Sequence, residues 1–384
     1  MSSCHFLLLF LISNFELALY ICILSYIEGK MTSTLVVSKS DAKDKYIKTF
    51  IVSPFYDSIF FIFSPIIALV LGYFIYKTGW GEATFIYHGE EKSITNVFIG
   101  SLIMAHLVIV FFRSHGNRVI NKQFPIPFFL VPILLYVGMV SSLWVLVCMS
   151  VLATWWDVYH SGLQTFGLGR IYDAKTGNNA EVGRRLDYFL NLYLYAGPIL
   201  AGITLFDHVE DFDEFNAVGS VFFTSIPAYA ESYQCYLVYF VLGTGIPFFC
   251  YYLYTYYYYS NKGYQVSSQK VMLLVSTGIC SIYSWGFNSF GEAFFIMNFF
   301  HAVQYFAIVW HNEKGNMSKL FGVSNIPFSK MITLLIYLLL AFSYGIWAEF
   351  TMAENDYIYA LLLLVSILHF WYDGFIWSVR KKHI

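Results

Sequence analysis

Long apolar runs dominate this chain, and short polar stretches separate them. About 20 apolar residues cross a bilayer as a helix. Ten runs of roughly that length follow residue 50, at 58–77, 95–113, 125–141, 142–170, 187–206, 235–258, 270–286, 288–313, 331–349 and 357–379. The pattern predicts an all-α, polytopic transmembrane bundle of about ten spans, with tight turns at 141/142 and 286/288. The longest connection, 207–234, is too short for a soluble domain. Residues 51–384 are therefore expected to form a single transmembrane helical domain. Residues 1–50 form an N-terminal segment that ends in a basic stretch. Within it, 6–27 reads equally as an extra span or a signal anchor, with Glu16 in its middle and no small-residue cleavage site. Met31 could equally be the natural start.

Charge sorts along this span map. With 29–57 placed inside and the spans alternating, 20 of the 22 Lys and Arg residues fall on one side; only Lys77 and Lys92 fall on the other. Acidic residues do the opposite: Glu82, Glu90, Glu91, Asp207, Glu210, Asp211, Asp213, Glu214, Glu231, Glu349, Glu354 and Asp356 all land outside. Cytoplasmic loops collect Lys and Arg, so both ends of the ten-span core are expected in the cytoplasm. A wrong span count would scramble this sorting. An integral protein of a bacterial inner membrane or an organelle membrane is the expectation, with the lipid bilayer as its partner.

Composition supports the same reading. Only 12% of residues are charged, about half the share usual in a soluble domain. Aromatics reach 21%, so an internal cavity is expected to be lined with rings. A net charge of −2 gives no case for nucleic-acid binding. The six cysteines are scattered and lack zinc-ligand spacing, so they read as small buried hydrophobes. Oligomeric state is left open by the sequence.

Histidine is expensive inside a membrane, and an intramembrane ionisable residue is a functional hypothesis by default. His106, His160, His301 and His369 lie on spans 2, 4, 8 and 10, which all run from outside to inside. Each precedes a basic residue at the inner end of its helix: Arg113, Arg170, Lys314 and Arg380, at 7, 10, 13 and 11 residues. At 1.5 Å per residue the four share a layer roughly 10–20 Å from those ends. Neutral imidazole ligates iron, zinc or copper well, and a carboxylate often orients a ligating histidine. Asp157 and Gln164 follow His160 spacing on one helical face (i, i+3, i+7), Gln304 or Tyr305 shares a face with His301, and Asp373 stands four residues after His369. These four histidines are the candidate metal ligands, with Asp157, Asp373, Gln164 and Gln304 as supporting or additional ligands.

The plain alternative is that each histidine is a structural hydrogen-bonder between helices. His115 and His311 lie near the inner surface and could extend the site; His5, His88, His208 and His383 receive no role. Arg170 and Arg380 read as interface anchors. "GLGR" at 167–170 is no nucleotide loop, and neither a Ser/His/Asp triad nor a nucleophile elbow is present.

The His106 helix, "DVYHSGLQ", "FHAVQYFAIVWH" and "HFWYDGFIWSVR" together resemble membrane-embedded, histidine-ligated non-haem iron oxygenases. The nearest likeness is to the bacteriorhodopsin-related-protein-like β-carotene dioxygenase family. The resemblance implies ferrous iron held by membrane histidines, and O2-dependent oxidation or cleavage of an apolar lipid or carotenoid. Where that family's pattern has a second histidine four residues on, this chain has Asp373. Two other readings stay open: a proton-coupled transporter using the same His and Asp layer as a relay, and a haem protein using two of the histidines.

Overall fold

The apolar runs fold as helices throughout a computed structural model, which describes residues 48–352 and 355–377. The 6–27 segment, Met31, His5, His383, Arg380 and the terminal basic run lie outside the described residues. In chain order the longer helices are α1 (Pro54–Ile62), α2 (Ser64–Lys77), α3 (Ile94–Ser114), α4 (Ile126–Ser141), α5 (Leu143–Lys175), α6 (Arg184–Ala201) and α7 (Leu205–Val218). Then follow α8 (Ile226–Asn261), α9 (Ser268–Phe287), α10 (Phe290–Leu320), α11 (Ser329–Thr351) and α12 (Asp356–Ile376). A two-stranded antiparallel hairpin, β1 (Thr84–Tyr87) and β2 (Glu90–Ser93), joins α2 to α3.

Among the described residues, seven helices (α3, α5, α8, α9, α10, α11 and α12) are each long and apolar enough to cross a membrane. Two bent pairs bring the total to nine if each pair counts as one span: α1 with α2, at 53°, and α6 with α7, at 106°. The α4 helix is apolar but shorter. The expected turns fall where the sequence places them, with Ser142 between α4 and α5 and Asn288–Ser289 between α9 and α10.

The first bend has a sequence cause. Pro65 lacks an N–H and cannot continue the α1 hydrogen-bond ladder. The carbonyls freed near the break find partners on other helices: Gln304 Nε2 donates to Phe61 O at 2.9 Å, and Ser276 Oγ donates to Ile62 O. In hydrocarbon an orphan carbonyl costs several kcal/mol, so a broken helix needs such donors. Small residues set the closest approach in the bundle. A Cβ at Gly345 of α11 would collide with the Ser101 carbonyl of α3, and one at Gly100 with the Glu349 carboxylate. Glycines of this kind let backbones pack closely in membranes, and they seat α3 against α11.

Among the described residues, two groups of Lys/Arg–carboxylate ion pairs are buried in the bundle. Arg113 pairs with Glu313 at 2.6 Å. Arg170, expected as an interface anchor, is instead only 4% exposed. It bonds Asp173 at 2.6 Å and also reaches Asp187, and Lys270 bonds the same two carboxylates at 2.8 and 2.7 Å. Tyr252 and Tyr256 donate to the other oxygen of Asp187, at 2.9 and 2.6 Å. Two cations and two carboxylates thus neutralise each other at the junction of α5, α6, α8 and α9. Asp173 stands one turn after Arg170 on α5, and the Ala180 and Val182 carbonyls of the following loop complete its guanidinium shell; only Asp187 comes from another helix.

Candidate metal centre

Four helices bring the four layer histidines into one cluster: His106 from α3, His160 from α5, His301 from α10 and His369 from α12. All are buried, at 3% exposure or less. Their ring centroids are 5.1 Å apart for His106–His301, 5.2 Å for His301–His160, 4.7 Å for His160–His369 and 5.0 Å for His369–His106. The four rings therefore pack as a closed loop of neighbours. Imidazoles bound to one ion through nitrogens about 2.1 Å away have adjacent centroids roughly 4.6–5.3 Å apart, from the octahedral to the tetrahedral angle.

The tautomer of His369 follows from its neighbour. Its Nδ1 lies 3.1 Å from the Leu107 carbonyl, which can only accept, so Nδ1 carries the hydrogen. In the neutral ring Nε2 then presents a lone pair. That Nε2 is 3.1 Å from His160 Nε2, and Asp373 Oδ2 is 3.8 Å from each of them. A distance of 3.8 Å is too long for a hydrogen bond. The three separations form a triangle whose circumscribed radius is about 2.1 Å, the length of a bond from a transition metal to imidazole or carboxylate. Two compact donor sets result, His160–His369–Asp373 and His106–His301–His369, each with one ligand atom per residue lying within 4.8 Å of the others.

Asp373 is oriented for this geometry. Tyr305 donates its hydroxyl to Oδ1 at 2.7 Å, and Trp377 donates its indole N–H to the same oxygen at 3.0 Å. Oδ2 is left to face the histidines. Trp377 in turn lies under the Arg113 guanidinium at 3.8 Å. Outer partners of this kind fix the orientation of metal ligands. Sequence reading placed Tyr305 on the His301 face but gave it no partner; Trp377, one turn after Asp373, was visible in the spacing and missed.

The strongest local anomaly is unsatisfied polarity. Among the described residues neither nitrogen of His106 nor of His301 finds a hydrogen-bond partner, although both rings are buried. His106 lies near the Ile103 carbonyl but without the geometry of a hydrogen bond. Buried polar side-chain atoms in folded proteins almost always find a partner, and an ion is one explanation of an orphan. Imidazole nitrogens without hydrogen-bond partners are suited to hold a transition metal.

The other expected residues separate. Gln164 Nε2 donates to the His301 carbonyl and to Gln304 Oε1, both at 3.0 Å, and ties α5 to α10. Gln304 is committed to Phe61 O and Ser64 Oγ at the α1–α2 break. Both amides act as joints between helices. Asp157 joins neither donor set. It lies one turn before His160 along α5, on the same face as Gln164 but about 10 Å from it along the axis. His115 also stands apart, with its nitrogens 2.9 Å from Ser114 Oγ and 3.2 Å from Phe128 O.

A cavity of about 480 Å³ opens beside the cluster, between α5, α10 and α12. His160, Asp373 and Tyr305 line one part of it, and Trp156, Phe166, Phe370 and Trp371 line much of the rest. This is the ring-lined cavity that the aromatic content leads one to expect. No known protein family, no curated protein and no solved structure matches this chain.

Proposed function

We propose that the chain is a membrane metalloenzyme that oxidises or cleaves an apolar lipid or carotenoid with O2, at an iron held by His106, His160, His301 and His369. The observation that carries this reading is the triangle of His160 Nε2, His369 Nε2 and Asp373 Oδ2, whose radius of about 2.1 Å matches a metal–ligand bond. The unsatisfied nitrogens of His106 and His301 add to it. Asp373 is a further ligand in this reading, and Tyr305 and Trp377 hold it in place. Iron with open positions would supply O2 activation there. The protein's own part is to fix the imidazoles, exclude water from a buried site, and admit an apolar substrate and O2, both of which partition into the bilayer.

No neighbouring pair of these histidines suits a haem. Two imidazoles on opposite faces of one haem iron have centroids about 6 Å apart, whereas the neighbouring pairs here are 4.7–5.2 Å apart. A proton relay draws some support from the His160–His369 contact and the two bent helix pairs. The freed carbonyls of the first bend, however, are already taken by Gln304 and Ser276, which leaves them no ion to hold.

Within this proposal the chain crosses the membrane ten times. The seven long helices, the two bent pairs and α4 make up that number. Both ends of the core are cytoplasmic, as the sorting of basic residues favours. Exposed tyrosines at both ends of α8, among them Tyr233 and Tyr254, fit a membrane-spanning helix. They stand about 30 Å apart along the axis, near the thickness of a hydrocarbon core. Substituted-cysteine labelling from each side of the membrane tests the topology. Metal analysis and O2 consumption with His160→Ala and His369→Ala test the chemistry, and a stoichiometric metal lost in both variants is the expected result.

A further inference from the structure

The cavity beside the metal centre is long and has two unlike ends. Its α5 wall runs from Trp156 to Ile171, a rise of about 22 Å. At the inner end stand His160 and Asp373. At the other end stand Glu181 and Arg184, both exposed and neither with an ion-pair partner among the described residues. Arg170 also reaches that end, but its guanidinium is committed to Asp173 and Asp187. Between the ends the lining is largely apolar, with Leu163, Phe166, Ile308 and Trp371.

Two glycines widen the middle. Gly167 of α5 and Gly374 of α12 both line the cavity, and a Cβ added at either would meet nothing within 4 Å. Glycine is a poor helix former, and close packing of helices does not call for it at these two positions. What both positions share is a border on the cavity, where they leave a slot without side chains.

We propose that this cavity binds a single-chain lipid with one polar end. The polar end lies at Glu181 and Arg184, and the chain runs past Gly167 and Gly374 to the His160–Asp373 edge. The inference rests on the metal-centre reading for what happens at the inner end, and adds the substrate class. From the level of Arg170 to His160 is about 15 Å. An extended chain advances roughly 1.3 Å per carbon, so a carbon about a dozen atoms from the head reaches the centre. The cavity lies within the size range of sites that hold one small molecule. A plain hydrocarbon would gain nothing from the charged rim.

The test uses the full chain in lipid nanodiscs, with tritiated hexadecanoic acid, hexadecanol and hexadecane as probes and metal content measured on the same samples. The acid, the alcohol or both should bind saturably at one per chain, and hexadecane at least tenfold more weakly. Gly167→Leu should weaken that binding at least tenfold with metal content unchanged. Gly374→Leu, on a different helix, should do the same, which guards against one variant misfolding. Glu181→Ala with Arg184→Ala should weaken it at least threefold. Equal binding of hexadecane, or binding untouched by both leucine variants, would overturn the proposal. Metal bound without lipid binding overturns this inference alone; lipid binding without metal overturns the metal-centre reading and supports this one.

Discussion

Replacing Tyr305 by Phe removes one oxygen from the centre and leaves the shape of the ring. The phenol donates to Asp373 Oδ1 at 2.7 Å, and its ring packs 4.6 Å from that of His369. Phenylalanine keeps the packing and deletes the donor. The Trp377 N–H still reaches the same oxygen at 3.0 Å, so Asp373 keeps half of its support. Hydrogen bonds to charged groups contribute about 1.5–3 kcal/mol, and losing an outer partner of a metal ligand typically costs 10–100-fold in affinity. At 1.4 kcal/mol per tenfold the two ranges agree, so Tyr305→Phe is expected to weaken metal binding by about one to two decades. Asp373→Asn should cost more, because it removes the ligand charge itself. The assay is competition with a chelator of known affinity in nanodiscs, with thermal unfolding of the metal-free protein as a control. An unchanged affinity in Tyr305→Phe, alongside a large loss in Asp373→Asn, would refute the idea that Tyr305 aims the carboxylate. A loss matched by equal destabilisation of the metal-free fold would reassign Tyr305 to packing.

Lys270→Met should destabilise the fold by about 3–5 kcal/mol, because Asp173 and Asp187 would then share one buried cation; denaturant unfolding reads this, and adding Asp173→Asn should restore part of it. Gln304→Leu leaves the Phe61 carbonyl at the α1–α2 break with the longer bond from Ser64 Oγ and should cost about 0.5–1.5 kcal/mol while metal stoichiometry holds. Burial holds the His115 imidazole below its ordinary value of 6.5. The unfolded chain therefore binds this proton more readily, and stability should fall as pH drops below about 6.5. His115→Gln should flatten that part of the unfolding profile.

Much of this architecture was legible from run length alone. The segments at 95–113, 288–313 and 357–379 correspond to α3, α10 and α12 to within a few residues at most described ends. Run length could not reveal the bends after Ile62 and Ala201, because hydropathy is blind to axis direction. Pro65 marks the first bend in retrospect. The histidine cluster was legible because each of four apolar runs carries a histidine 7 to 13 residues before a basic residue, which predicts similar depths. A shared helical face did not by itself place a residue in the site: Asp157 and Gln164 lie within about 20° of each other around α5, a turn to either side of His160 along the axis, and Gln164 is the one that bonds α10. Gln304 looked like a site residue because it sits beside His301, yet the unpaired carbonyls of a distant helix break claim its amide. Arg170 looked like an anchor although Asp173, one turn on, was visible as a partner; what the spacing could not show is that Asp187 of α6 and the fellow cation Lys270 of α9 close around the pair and bury it.

The most direct test of the metal centre is elemental analysis of the purified chain, with an optical spectrum of the same sample. The proposal expects about one iron per chain, no haem band, and loss of the metal in His160→Ala and His369→Ala with the helical fold intact. Protein purified under metal-retaining conditions that holds no stoichiometric transition metal, and whose histidine variants match the parent, would contradict it.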